Sequence, residues 1–201
     1  CVITIIAVYI SGSSPATLPI RASILPPEKA NFHFYGDGAG PVVISPDGRR
    51  LAFTASTSDG KRLLYVRPLD ALTAQPLDGT EGARYPFWSP DNQFIGYFSQ
   101  GKLKKVEASG GPPFTICDAQ NARGGSWNSE GMILFAPEPG SAIHLVSAAG
   151  GTPSKITRLD SLRRENSHRW PYFLPDGKRF FYHARTAATG TQSEGDAIYV
   201  A

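Results

Sequence analysis

A tight turn between two apolar runs recurs four times along this chain of 201 residues. The turns occupy residues 45–48, 89–92, 128–131 and 174–177, so successive turns begin 44, 39 and 46 residues apart. Three of them contain Pro-Asp followed by Gly or Asn, a combination that presets the backbone, accepts hydrogen bonds from nearby amides and tolerates a positive φ. A period near 40 residues made of short strands and turns is typical of a β-propeller, so we predict an all-β fold.

Each repeat is interpreted as a four-stranded blade whose first strand enters the turn and whose second strand leaves it. The predicted propeller covers residues 31–201, with blades at about 31–80, 81–120, 121–162 and 163–201. The third turn has Ser-Glu in place of Pro-Asp and is therefore degenerate. The last repeat reaches only its third strand, and propellers close with about 4–8 blades. We therefore expect three and a half to four blades, as a fragment of a larger ring.

The composition of the chain favours a packed core and argues against several other classes. The sequence is 41% hydrophobic and 18% charged, unlike a disordered chain. Its net charge is +3 and no run of Lys or Arg exceeds two residues, so we expect no nucleic-acid partner. Cys1 and Cys117 form no disulfide framework, and neither Cys-x-x-Cys spacing nor clustered His indicates zinc. We therefore expect no metal and no cofactor.

The first ten residues are mostly apolar, and the following lead-in contains four prolines. Ten residues are too few to span a bilayer, which needs about 20, but they match the second half of a membrane helix. We therefore assign residues 1–12 to the remnant of a membrane helix and residues 13–30 to a linker. The alternatives are a signal-peptide segment, an internal strand, and a mature lipoprotein that begins at Cys1.

The sequence contains no recognisable catalytic motif. Gly-x-Ser-x-Gly is missing, and the glycine-rich run at 36–40 lacks the lysine and the helix of a phosphate loop. The carboxylates of Asp47, Asp91 and Asp176 are explained by their places in the turns. We therefore predict that this segment is not an enzyme.

Three blades place an arginine at the same point, five residues before the turn begins: Arg84, Arg123 and Arg169. The first strand of each propeller blade lines the central channel, so we expect three guanidiniums at one mouth, where they suit a carboxylate or a phosphate. The alternative is structural, with each arginine paired to Glu81, to Glu165 or to loop carbonyls. Neighbouring side chains could add apolar or stacking contacts. The candidate ligand-binding residues are Arg84, Arg123, Arg169, His168, Trp170 and Tyr85.

Three tryptophans lie in or beside these first strands. Trp88 and Trp127 directly precede their turns, so we expect both to pack in the core between blades. Trp170 lies at a different offset from its turn and is the better candidate for an exposed contact.

The repeats resemble two groups of known propellers. The phrase Ser-Pro-Asp-Gly-x-x-Leu-Ala-Phe at 45–53 resembles the blades of TolB-like, WD-repeat-related bacterial propellers. Three other phrases, at 81–91, 101–106 and 167–171, are similar to the C-terminal propellers of bacterial transmembrane serine/threonine protein kinases. The first of them reads Glu-Gly-Ala-Arg-Tyr-Pro-Phe-Trp-Ser-Pro-Asp. In that family a cytoplasmic kinase precedes one membrane helix and the propeller lies outside. The resemblance covers about residues 25–201.

The resemblance implies a non-catalytic binding or sensing module on the extracytoplasmic, periplasmic side of the bacterial inner membrane, held there by an N-terminal anchor. The expected partner is a protein, a peptide or a small anionic ligand at the channel mouth. Two alternatives stay open: the substrate-gating propeller of a prolyl oligopeptidase-type serine peptidase, and a TolB-type periplasmic scaffold. The neighbouring coding sequence distinguishes them, because each alternative implies a different adjoining domain.

Overall fold

The computed structural model of the protein describes residues 23–32, 40–187 and 195–201. Sixteen β-strands form four antiparallel sheets there, and the described part of the chain contains no helix. Accordingly, no described segment is a helix with the length and apolar character needed to cross a membrane. The predicted membrane-helix remnant, residues 1–12, and more than half of the predicted linker lie outside the described residues.

The first sheet contains five strands: β1 (Ala30–Phe32), β2 (Val43–Ile44), β3 (Arg50–Thr57), β4 (Arg62–Pro68) and β5 (Gln75–Leu77). Both β1 and β2 pair with the same edge of β3, with Phe32 opposite Ala55 and Val43 opposite Ala52. Two short strands thus share the innermost position of this blade. The sequence predicted only the second of them.

The other three sheets are meanders whose strand order follows the chain. The second sheet comprises β6 (Arg84–Trp88), β7 (Phe94–Ser99), β8 (Lys102–Glu107) and β9 (Phe114–Asp118). The third comprises β10 (Gly125–Trp127), β11 (Met132–Phe135), β12 (His144–Ser147) and β13 (Ser154–Lys155). The fourth comprises β14 (Glu165–Phe173), β15 (Phe180–Thr186) and β16 (Ala197–Val200). The prediction of an all-β fold built from antiparallel blades is confirmed.

The recurring turns have the geometry that their sequences predict. In the first turn the amide of Gly48 donates to the carbonyl of Ser45 at 2.8 Å, and Gly48 has a φ of 71°. The degenerate third turn closes in the same way, with Gly131 donating to Asn128 at 3.2 Å. The side-chain oxygen of Asn128 also accepts from the amides two and four residues ahead. Asn128 occupies the position of Ser45 in the first turn, and its side chain accepts from the amide after the turn glycine, as Ser45 and Asp47 do there.

Alternating side chains bury both faces of the middle blades. Ile133 and Phe135 pack against the second blade, whereas Leu134 and Ala136 pack against the fourth. Successive side chains of a strand point to opposite faces of the sheet, so neighbours in sequence belong to separate cores. This packing holds the blades face to face and brings their first strands side by side.

Candidate functional site

The first strands of the four blades, β2, β6, β10 and β14, form a concave groove of about 790 Å³. The lining residues come from these strands, from the residues just before them and from the turns that follow. Within the described part of the chain, none of the lining residues carries a formal charge. The groove is thus an apolar surface with uncharged walls. Its aromatic residues are Tyr85, Phe87, Trp88, Trp127, Trp170, Tyr172 and Phe173.

A β-bulge in the first strand places two of these aromatic residues in the groove. The pairing register shifts after Arg84 in β6 and after Arg169 in β14. The next residues, Tyr85 and Trp170, have φ values of 49° and 54°. The third blade has Gly124 at the same place, with a φ of 86°. The left-handed region is strained for an aromatic residue, by about 1–3 kcal/mol, and persists only where the surrounding structure enforces it.

The two bulge residues meet over the third blade. The rings of Tyr85 and Trp170 lie edge to face, with 4.9 Å between their centroids. A Cβ atom on Gly124 would lie 2.7 Å from Cε3 of Trp170, so only glycine leaves room for this indole. The backbone contributes as well, because the amide of Trp170 donates to the carbonyl of Arg123 at 2.9 Å.

The tryptophans of the groove differ in exposure. Trp88 is 7% exposed and donates its indole N–H to the carbonyl of Val43 at 3.1 Å, as a core residue should. Trp127 is half-buried and stacks on Phe94, yet it also lines the groove. Trp170 is 43% exposed. The groove therefore presents indole surface that the packing of the blades does not use.

Arg84, Arg123 and Arg169 are all described, and none of the three lines the groove. Arg123 is 4% exposed, and its guanidinium donates to the side-chain oxygen of Asn121 at 2.7 Å and to the carbonyl of Ala122 at 3.0 Å. These contacts with loop groups agree with the alternative interpretation, in which Arg123 stabilises the fold rather than binding a ligand. The role of the arginines in anion binding stays a prediction.

The other two arginines, Arg84 and Arg169, also have neighbouring residues within the fold. The guanidinium of Arg169 donates to the hydroxyl of Ser167 at 2.7 Å and to the carbonyl of Pro139 at 3.3 Å. Arg84 lies near Arg62, and burial together with this like charge lowers the pKa of Arg62. Neither of these two residues is among those that line the groove.

His168 is fully buried and forms a hydrogen-bonded link between the third and fourth blades. Its Nδ1 atom lies 2.8 Å from the hydroxyl of Thr157, and its Nε2 atom lies 3.0 Å from the carboxylate of Glu165. That carboxylate also accepts the amide of Asp160 at 2.8 Å. The ring of His168 packs against Tyr182. These contacts engage both ring nitrogens of His168 inside the fold, and its role in ligand binding stays a prediction.

The described residues include no group of three or more His, Cys, Asp or Glu side chains placed to hold a metal ion. Cys117 lies half-buried in β9. Burial and the neighbouring Asp118 raise the pKa of its thiol to about 11, so the thiol is protonated at neutral pH. Cys117 therefore lacks the thiolate that a nucleophile needs.

Sequence reasoning selected Tyr85 and Trp170, which the structure brings together, but it did not select Tyr172. This residue is 67% exposed and lines the groove two positions after Trp170. The repeat carried no signal for Tyr172, because the matched positions of the second and third blades are Phe87 and Ser126. The bulge that decides which residues face the groove left no signal in the sequence either.

No family model matches the chain. The chain is similar in sequence to the "Uncharacterized peptidase YuxL" of Bacillus subtilis (strain 168). It is 27% identical over 158 residues, which cover 78% of this chain and 23% of that protein. The chain therefore spans about a quarter of the length of this relative.

Solved structures of low sequence identity share the fold. A putative TolB from Agrobacterium tumefaciens superposes with a TM-score of 0.63 at 18% identity, covering 78% of this chain and 62% of that one. The chain has a TolB-like β-propeller fold. TolB from Acinetobacter baumannii has a TM-score of 0.57 at 13% identity over 80% of this propeller and 43% of its own chain. A prolyl endopeptidase has a TM-score of 0.55 at 12% identity over 80% of this propeller and 27% of its own chain.

Proposed function

We propose that this propeller is a non-catalytic binding module whose groove receives a protein or peptide partner. One observation carries the proposal: Trp170 is 43% exposed, although it lines a concave apolar groove and its ring packs against Tyr85. Exposed aromatic anchors in a pocket are typical of partner-binding surfaces. The groove volume of about 790 Å³ also falls within the range of ligand sites, roughly 300–1,000 Å³.

The sequence phrase at 81–91 supports a more specific form of the proposal. In this form the propeller is the extracytoplasmic sensor of a membrane-anchored bacterial serine/threonine protein kinase, and partner binding outside the membrane regulates the kinase inside. The TolB-like fold is compatible with such a role. A kinase domain encoded upstream would support this form, and a different adjoining domain would contradict it.

A second candidate is the propeller that controls access to the active site of a serine peptidase. The 27% identity to the Bacillus subtilis peptidase and the fold shared with a prolyl endopeptidase favour it. The groove would then contact peptide substrates rather than a regulatory partner. A hydrolase domain with Gly-x-Ser-x-Gly encoded downstream separates this candidate from the kinase sensor.

Selection from a random peptide library, with this chain as bait, tests the binding function. We expect the selected peptides to bind the Trp170→Ala/Tyr172→Ala variant at least about tenfold more weakly than the wild type. Leu72→Ala is the matched control, because Leu72 is 95% exposed on the loop between β4 and β5, outside the groove. Thermal unfolding by circular dichroism verifies that each variant is folded. Selected peptides that bind the double variant as tightly as the wild type would contradict the proposal.

A further inference from the structure

We propose that the ligand of the groove is an uncharged, proline-rich peptide segment in the polyproline II conformation. This rests on the proposed function, because it names the class of peptide that the groove would take. Three properties of one wall support it. The wall is aromatic, its described residues carry no charge, and it contains hydrogen-bond donors that no described residue uses.

The lack of charge in the groove selects against ionised ligands. A charged group entering these walls would lose its water, and the cations beside the lining, Arg50 and Lys105, already lie over the rings of Trp88 and Trp127. The guanidiniums of Arg123 and Arg169 are engaged by loop groups outside the lining. Single-stranded nucleic acid also stacks on aromatic rings, but it needs a positive groove for its phosphates. The groove therefore favours a neutral ligand.

Three residues that line the groove carry hydrogen-bond donors that no described residue accepts. Trp88 uses its indole N–H within the fold. By contrast, the indole N–H groups of Trp127 and Trp170 and the hydroxyl of Tyr172 donate to no other residue in the described ranges. The groove thus combines apolar rings with donors. Its complement is a ligand that is rich in acceptors and poor in donors.

A polyproline II segment has this combination of properties. Its backbone makes no internal hydrogen bonds, so its carbonyls remain free to accept. Proline has no backbone N–H. A proline-rich peptide therefore brings few hydrogen-bond donors into the groove that would lose their water without finding an acceptor. Aromatic-lined grooves recognise proline-rich segments in unrelated domains, and the preformed helix loses little entropy on binding.

Two backbone amides of β14 are already used, which disfavours a peptide that would bind there as an added β-strand. The amide of Phe173 in β14 donates to the hydroxyl of Ser126 in β10 at 3.0 Å. The amide of Trp170 donates to the carbonyl of Arg123 at 2.9 Å. These bonds between blades use backbone groups that an added strand would need. Recognition through side chains is therefore favoured.

Three synthetic peptides of about ten residues, each spanning about 31 Å as polyproline II, test the assignment by isothermal titration. The first is proline-rich and uncharged, the second has its prolines replaced by alanine, and the third is proline-rich with added glutamates. We expect the first peptide to bind about tenfold more tightly than either of the others.

Single-ring variants identify the groove as the binding site. Trp127→Phe and Trp170→Phe keep an aromatic ring but remove the indole N–H, so each should weaken the first peptide about threefold or more. Trp170→Phe also keeps an aromatic ring in contact with Tyr85, so this variant should still fold. Leu72→Ala should leave the affinity unchanged.

The outcomes separate this assignment from the proposed function. Equal affinity for the proline and alanine peptides, with both lost in Trp170→Phe, would overturn the polyproline II assignment and leave the binding function standing. Tighter binding of the acidic peptide, lost in Arg169→Gln, would overturn it in favour of an anionic ligand. If none of the three peptides binds and library selection also yields no Trp170-dependent peptide, both proposals are wrong.

Discussion

The indole of Trp170 lies edge to face against the phenol ring of Tyr85, with 4.9 Å between the ring centroids, although the two residues belong to blades that are not neighbours. The contact passes over Gly124 of the blade between them. Three successive blades therefore build one part of the groove wall together. The arrangement needs both bulges and the glycine, which makes it sensitive to single substitutions.

Gly124→Ala should destabilise the protein by about 2–5 kcal/mol, because the added methyl group meets the ring of Trp170 and the backbone keeps a left-handed φ. Urea denaturation followed by tryptophan fluorescence measures the loss. Gly48→Ala is the matched control, since Gly48 has a similar φ of 71° with nothing within 4 Å of an added Cβ. The control should lose only about 1–2 kcal/mol. Equal losses in the two variants would show that Trp170 does not restrict position 124.

Gly96 is constrained by Phe87 rather than by its own backbone. An added Cβ on Gly96 would lie 2.3 Å from Cε2 of Phe87, its cross-strand partner. Gly96→Ala should therefore cost about 1–3 kcal/mol of stability through overpacking. Phe87→Leu in the same chain should restore part of the loss, which a double-mutant cycle detects as a coupling energy. Strictly additive effects would contradict the proposed clash.

The buried link through His168 should contribute measurably to stability. His168→Leu leaves the carboxylate of Glu165, which is 6% exposed at its side chain, without its imidazole partner. We expect a loss of about 1–3 kcal/mol. Lys61→Ala breaks an exposed ion pair with Asp59 and should cost less than about 1 kcal/mol. Chemical denaturation of both variants gives the comparison, and similar small losses would contradict a structural role for His168.

The turn carboxylates should make the fold sensitive to acid. A hydrogen bond from Arg179 and the amides of Lys178 and Arg179 lower the pKa of Asp176 to about 2. A carboxyl group whose pKa is lower in the folded state stabilises the fold above its unfolded pKa, and this contribution is lost as the pH falls through the folded value. Stability should therefore decline between about pH 4 and pH 2.

Asp176→Asn tests this dependence through the unfolding midpoint measured across the same pH range. The variant should show a shallower acid decline than the wild type. Asp78→Asn is the control, since Asp78 is exposed and accepts no hydrogen bond from a residue in the described ranges. A decline of the same slope in wild type and Asp176→Asn would contradict the assignment.

The blades could be predicted from sequence because their signals are local. A Pro-Asp-Gly turn such as 45–48 defines its own geometry, and each apolar run beside it alternates between two buried faces. Strand β1 escaped prediction because three residues, Ala30–Phe32, carry little local signal. Their strand state depends on pairing with β3, more than 20 residues further along the chain.

The lining of the groove could be predicted only in part. The sequence placed Arg84 and Tyr85 at the entrance of their blade, but only one of two consecutive residues faces the groove. The bulge after Arg84 decides this choice, because one extra residue moves side chains to the other face of a strand. A bulge at an aromatic residue depends on the packing around it and is not visible in the repeat.

Site-specific photo-crosslinking tests most directly whether the groove is the partner-binding site. A photoreactive phenylalanine analogue is placed at Tyr172 in the groove or at Leu72 outside it, and each protein is irradiated with a peptide selected from the library. We predict crosslinking at position 172 that unlabelled peptide abolishes by competition, and none at position 72. Crosslinking at position 72 alone, or equally at both positions, would contradict the assignment of the groove as the binding site.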